Sequence, residues 1–443
     1  MYCMSMAVFW LILVSSLNKI KYKSADMEYM WLEKLTLAGL VLSLLNSCIG
    51  PDKHTITVIN HLNQPRVDEM LEIPVEQLEE LLSGKNQSFV VVDTEGDQVP
   101  YQLTHDGLLI FPVSVAAQGS VDYIIKRGTP LNWDTIACGN CYPERLDDIA
   151  WENDRSAYRL YGPALQRSGE RAFGYDVWTK NVSYPIVAVR YHTELNPETK
   201  EQIKELRQCG KLQEANSLAK SVSYHVDHGT GMDCYSVGPT LGCGTSALLV
   251  DSCIIYPYCY KDYQILDNGP LRFTVQLEYN PLVIEKDSSV LETRRITLDK
   301  GSNLNKTTVI YHNLLKPYQL VTGLVIHSQN PDGALFDSRL GIIAYADSTD
   351  NAHNNNGVIH VGALIAKSPT WCGVRWFGEQ EIKAKPGALG HVMAFSSYRP
   401  QDEFVYYWGA SWSKGGFQTQ EEWFEYLKDY QQKLSSPLEV HIN

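Results

Sequence analysis

Nine residues in the middle of the chain set the tightest limit on its fold. Residues 271–279, LRFTVQLEY, alternate without fault: Leu271, Phe273, Val275, Leu277 and Tyr279 fall on one side, Arg272, Thr274, Gln276 and Glu278 on the other. Successive side chains of a strand point to opposite faces, so this segment predicts a strand with one face in a core and one towards water. Residues 294–298 and 307–311 flank the turn sequence Asp299-Lys300-Gly301-Ser302-Asn303, which predicts an antiparallel pair. Further strands are expected at 321–327, 341–346, 358–363, 391–397 and 404–409. Strand and helix patterns do not alternate, which argues against a parallel α/β sheet.

The first part of the chain reads in the same way on a smaller scale. Strands are expected at 55–63, 88–93, 107–112 and 120–126, with at most a short helix at 75–82. They predict a small N-terminal β-sandwich ending near Gly128-Thr129-Pro130. Two helices are expected. Residues 197–220 contain no interior proline and read as an exposed helical insertion. Thr419-Gln420-Glu421-Glu422 fits a capping box and opens a helix with Trp423, Leu427, Tyr430 and Leu434 on one stripe, stopped by Pro437. The fold class is therefore mainly β: a sandwich over 48–130, then a larger antiparallel domain over 131–443 with a helical insertion and a C-terminal helix.

Composition narrows the function classes. With 443 residues the chain has room for two or three domains, and 44% hydrophobic with 20% charged residues is ordinary for a folded protein. The 26 tyrosines and 10 tryptophans suit β-structure, and also suit sugar binding, where aromatic faces stack on pyranose rings. A formal net charge of −13 repels nucleic acid in bulk. An anionic substrate would need a local cluster of Arg or Lys. No phosphate-binding loop, nucleotide-fold glycine pattern, G-x-S-x-G or H-E-x-x-H motif occurs.

The first 47 residues read as a leader. The apolar run 6–14 is too short for a membrane helix; the run 35–45 follows Lys34 and precedes Asn46-Ser47-Cys48. Leu45-Asn46-Ser47-Cys48 resembles a bacterial lipobox, which implies lipidation of Cys48, export, and anchoring to a membrane facing the periplasm or in the outer membrane. Eight cysteines follow Cys48, and an oxidising compartment permits disulfides. Cys138-Gly-Asn-Cys141, followed by Tyr142-Pro143, reads as a structural disulfide or free thiols in preference to a zinc or redox site.

Two stretches concentrate chemistry. Residues 144–161, ERLDDIAWENDRSAYRLY, crowd Glu152, Asn153, Asp154 and Arg155 beside Trp151, a composition suited to a cleft floor or equally to a solvated loop. Residues 224–244, YHVDHGTGMDCYSVGPTLGCG, hold His225, Asp227, His228, Asp233 and Tyr235 among five glycines. If 223–228 is a strand, His225 and Asp227 share a face and His228 takes the other, so an oriented base is favoured over a two-histidine metal site. A bend at Gly229 would restore the His225/His228 pair, and His228 and Asp233 stay open as ligands for a divalent cation. Arg272 and the C-terminal Trp412 and Lys414 complete the candidates, the last two as a sugar platform.

The runs 146–166, 174–180, 224–244, 266–272 and 406–414 together resemble a domain-of-unknown-function family of exported bacterial proteins encoded among polysaccharide-utilisation genes. The strand order is similar to the galactose-mutarotase-like β-supersandwich. The resemblance implies a carbohydrate-active protein with an oligo- or polysaccharide partner. Joined to the residues above, it points to a lyase cleaving a uronic-acid glycan by β-elimination. In that reading Asn153 and Arg155 neutralise the substrate carboxylate, His225 is the base and Tyr235 the acid, with Trp151, Glu152, Asp154, Asp227, Asp233, Arg272, Trp412 and Lys414 binding substrate. Three alternatives stay open: a glycoside hydrolase using a pair among Glu152, Asp154, Asp227 and Asp233, a non-catalytic glycan-binding lipoprotein, and a sugar epimerase or mutarotase.

Overall fold

The computed structural model describes residues 53–78, 88–350, 352–366 and 369–443. The leader, Cys48 and the end of the expected 75–82 helix lie outside them; the described part is a single 3-10 turn, Val75–Leu78. The architecture is mainly β and antiparallel throughout its ladders.

The small sandwich packs a five-stranded sheet on a three-stranded one around Ile56, Val58, Ile73, Phe111, Val113 and Ile125. It is not continuous in sequence. The last strand, Glu439–Ile442, pairs antiparallel with the first, Lys53–Ile59, in the register Val58 to Val440. The chain ends by completing the sheet in which the described residues begin.

The large domain faces a five-stranded sheet with a nine-stranded one. The alternating segment is the strand Arg272–Tyr279, with Phe273, Val275, Leu277 and Tyr279 buried. It pairs with Asp287–Asp299, which pairs in turn with Leu304–His312 across the expected turn. The helix Gln420–Ser435 lies on the outer face of this sheet, burying Trp423 and Leu427 against Leu304, Ile342 and Leu364. Its Thr419 side chain accepts from Glu422 N, and Glu422 reaches back to Thr419 N. Gly362 is small for a reason: a Cβ there would sit 2.7 Å from Leu427 and 2.9 Å from Trp423.

A third, four-stranded sheet runs Cys138–Tyr142, Asp148–Glu152, Ala157–Leu160 and Asp176–Trp178. Trp151 joins it to the sandwich core, with its ring 6.0 Å from Tyr158 and 6.3 Å from Trp408. The insertion departs from the single expected helix. Helices Pro197–Gln208 and Leu212–Val222 are separated at Gly210, whose φ of 74° is left-handed and ends the first helix at low cost. A further helix, Val187–Glu194, precedes them and packs Val187 and Tyr191 on Trp178 and Tyr224.

All eight described cysteines are free. Cys138 and Cys141 lie three residues apart in one strand, so their side chains leave opposite faces and cannot bond to each other. Of the two readings for this pair, the free thiols hold.

Candidate functional site

The sequence brings one arginine into the centre of the four-stranded sheet and surrounds it with carboxyls. Arg159 is buried and donates to Asp176 Oδ2 at 2.7 Å and to Asp233 Oδ2 at 2.8 Å, with Asp148 Oδ2 at 3.9 Å. Its guanidinium also lies over the rings of Tyr161 and Trp178, 4.9 and 5.0 Å from their centroids. Arg159, joined at Asp148 by Arg145 Nη1 at 4.0 Å, does not offset the desolvation of three anions. Burial therefore pushes the carboxyls of Asp148 and Asp176 up to about 6, while the surrounding acids hold Arg159 charged.

Asp233 links this buried network to the surface. Its carbonyl accepts from His225 Nδ1 at 3.1 Å, and its carboxylate lies 3.6 Å from the same nitrogen. A carbonyl only accepts, so Nδ1 carries the hydrogen and Nε2 holds the lone pair. The imidazole is half exposed, and Nε2 has no partner among the described residues. The ring rests on Tyr224, 4.6 Å between centroids, and the Tyr224 hydroxyl accepts from Arg145 Nε at 3.1 Å. The partner of His225 is thus Asp233, not Asp227. Asp227 closes a turn instead, accepting from Gly229 N and Gly231 N.

The next two residues reach a second buried pair. Cys234 O accepts from Asp350 N, and the ring of Tyr235 meets His327 at 6.0 Å. His327 Nδ1 bonds Asp347 Oδ2 at 2.5 Å, and Tyr345 bonds the His327 backbone. Burial pushes the Tyr235 hydroxyl well above its ordinary range, and it has no hydrogen-bond partner among the described residues. No hydrogen bond joins it to His225.

The remaining candidates are spread over the molecule and mostly engaged. Asn153 is buried, donates to Asp299 O and Ser302 O, and accepts from Arg155 N and Ser156 N, so its amide is spent on holding a turn. The Arg155 side chain is exposed and its closest acid is Asp154, at 3.5 Å. Asp154 caps Gly301 N, and Trp151 donates to Asn305 inside the core. Glu152 is buried against Lys180 Nζ at 2.5 Å and accepts from Ile186 N and Val187 N at a helix start. Arg272 clamps Asp299 and Glu72. Trp412 is buried and bonds Asn356 O; Lys414 bonds Asn355 O. His228 turns to Ser223 O. Among the described residues no group of three His, Cys, Asp or Glu is arranged to hold a metal ion.

Sequence reading passed over Arg145, Arg159 and Asp176. Arg145 and Arg159 lie inside the stretch singled out for its charge, but nothing in one dimension distinguishes a buried arginine from a solvated one. The Tyr158–Tyr161 strand pattern was the available signal, since a charged residue between aromatics in a strand needs a partner.

The chain resembles known proteins along most of its length. "Uncharacterized protein P7" of Formosa agariphila is 25% identical over 422 residues, covering 90% of this chain and 96% of the relative. Among solved structures, an alpha-mannosidase from Enterococcus faecalis V583 aligns with a TM-score of 0.43 at 10% identity, over 92% of this chain and 48% of that one. A glycosyl hydrolase family 38 protein from Enterococcus faecalis aligns with the same score and identity, over 89% and 48%. The chain spans about half the length of these two structures. Residues 58–440 match the family described as "Domain of unknown function (DUF4861)", and the chain belongs to that family.

Proposed function

We propose that the protein is a carbohydrate-active enzyme that moves a proton on an acidic sugar through His225, cleaving a uronic-acid glycan by β-elimination. The observation that carries this reading is the orientation of one exposed imidazole. Asp233, itself held by Arg159, fixes Nδ1–H and leaves the Nε2 lone pair at the surface. A base placed in this way is what proton abstraction next to a carboxylate needs. Arg145, joined to the same rim through Tyr224, supplies a cation for the substrate carboxylate.

In the step itself His225 Nε2 takes the C5 proton. The electron pair forms the double bond to C4, and the C4–O bond breaks. The imidazolium formed is the acid beside the departing oxygen and returns the proton to it. Tyr235 is replaced in this role because its hydroxyl is buried beside His327.

A glycoside hydrolase would need two carboxyls about 5–10 Å apart facing substrate. Glu152 and Asp233 are buried in ion pairs, while Asp154 and Asp227 are committed to backbone N–H groups. Hydrolysis is left without a free pair among these four carboxyls, which supports the elimination reading. The reading includes export and a lipid on Cys48, checked by intact mass before and after Cys48→Ser.

The test is the ultraviolet absorbance of unsaturated uronate product, followed across pectic, glucuronate-bearing and algal uronate glycans. Wild-type protein should generate the signal on one class, and His225→Ala should lose it. Turnover by His225→Ala at the wild-type rate would remove the proposal. Deuterium uptake at C5 without a double bond would move the protein to the epimerases. Glycan binding with no turnover, unchanged in His225→Ala, would make it a binding protein.

A further inference from the structure

A second place with ligand chemistry lies where the small sandwich meets the outer face of the nine-stranded sheet. Two adjoining cavities, the larger of about 460 Å³, share Glu72, Arg272, Thr297 and Lys306 and so form one groove. Its floor is the polar face that the alternating strands present to water. Arg295 stands opposite Thr308, and Thr297 opposite Lys306. Arg295 and Lys306 are thus diagonal neighbours on one face, with backbones about 7–8 Å apart. Both side chains are exposed, and neither has a hydrogen-bond or ion-pair partner among the described residues.

In a chain of net charge −13, two adjacent unpaired cations need an explanation. Most acids lining the groove are engaged: Asp299 and Glu72 hold Arg272, Glu69 holds Arg66, Asp267 holds His105 at 2.7 Å, Asp106 accepts from Thr104, and Asp68 accepts from Ser114. Glu278, diagonal to Arg295 on the neighbouring strand, is exposed but lies outside the groove lining. What the groove offers to a ligand is two cations free of ion pairs, the hydroxyls of Thr297 and Thr308, and the edge of Tyr407, which is in register with Lys306. Cations beside hydroxyls and an aromatic edge match a sugar unit bearing an anionic group.

We propose that this groove binds an anionic unit of a glycan chain through Arg295 and Lys306, apart from the His225 rim. The ligand class rests on the carbohydrate reading; the site does not depend on His225 being a base. A carboxylate and a sulfate ester share the required chemistry, and the probes separate them.

Calorimetric titration with trigalacturonate, with a sulfated disaccharide and with neutral cellotriose tests the groove on the wild-type protein and on Arg295→Gln/Lys306→Gln. Both side chains are exposed, so the double variant keeps its fold, which its melting curve verifies. Wild type should bind one anionic probe and not cellotriose, and the double variant should lose that binding event by about 100-fold, about tenfold for each cation. Equal binding by wild type and double variant, equal binding of cellotriose, or no binding of either anionic probe would overturn the proposal. Loss of the groove with lyase turnover intact, or the reverse, separates the two readings.

Discussion

Arg159 stands against Asp148, Asp176 and Asp233 with hardly any solvent to share the charge. Removing the cation leaves Asp176 and Asp233 uncompensated and Asp148 with Arg145 alone, so Arg159→Met should cost about 3–5 kcal/mol in urea unfolding. The same cluster sets a pH dependence. Burial raises the folded Asp148 carboxyl from 3.8 to about 6. A raised folded value means that the neutral acid favours folding. Its contribution is complete below about 4 and is lost as the pH rises through about 6. Asp148→Asn should flatten the pH–stability curve across that window, and an unchanged slope would show that Asp148 does not titrate there. The His225 ring is half exposed, so His225→Ala should shift stability by no more than about 0.5 kcal/mol, while the proposed elimination should slow by about 10²–10⁴-fold.

At the scale of elements, the segment 233–235 does the joining. Asp233 enters the Arg159 network, Cys234 O takes Asp350 N, and Tyr235 packs beside the His327–Asp347 pair. Such a segment must turn sharply without losing its backbone bonds. Gly231 (φ 90°) permits it, since a Cβ there would stand 2.2 Å from Thr179 O. The C-terminal helix is set by simpler means. Its capping box supplies partners for backbone N–H groups that a helix start leaves open. Thr419→Ala should cost about 1 kcal/mol, measured by chemical denaturation.

At the scale of the molecule, the small sandwich is held by the last strand and at the seam. Glu439–Ile442 closes its first sheet, His105 bonds Asp267, and Arg272 bridges Asp299 to Glu72. Arg272 is buried, so Arg272→Ala leaves Asp299 and Glu72 facing each other across the seam. Because both acids keep some water, it should lower the stability by about 1–3 kcal/mol and separate one calorimetric transition into two. A single transition at the wild-type temperature would show that the seam is held by the strand pairing and not by the arginine.

Much of this organisation was legible in one dimension. Period-two alternation at 271–279 and the turn at 299–303 found the central ladder, because side-chain direction in a strand depends only on neighbouring residues. The capping box and apolar stripe found the last helix for the same local reason. The residues 224–235 were marked as chemically dense, and His225 and Asp233 do meet there. Their pairing was not legible, since His225 bonds Asp233 across a turn and not the strand neighbour Asp227. Nor was the fate of Asn153, Glu152 and Arg272, whose polar groups are consumed by partners up to 200 residues away. A sequence shows which residues carry charge and where the backbone can turn. Which charges are desolvated, paired or left free is a property of the surroundings, and only the packing of distant strands supplies those.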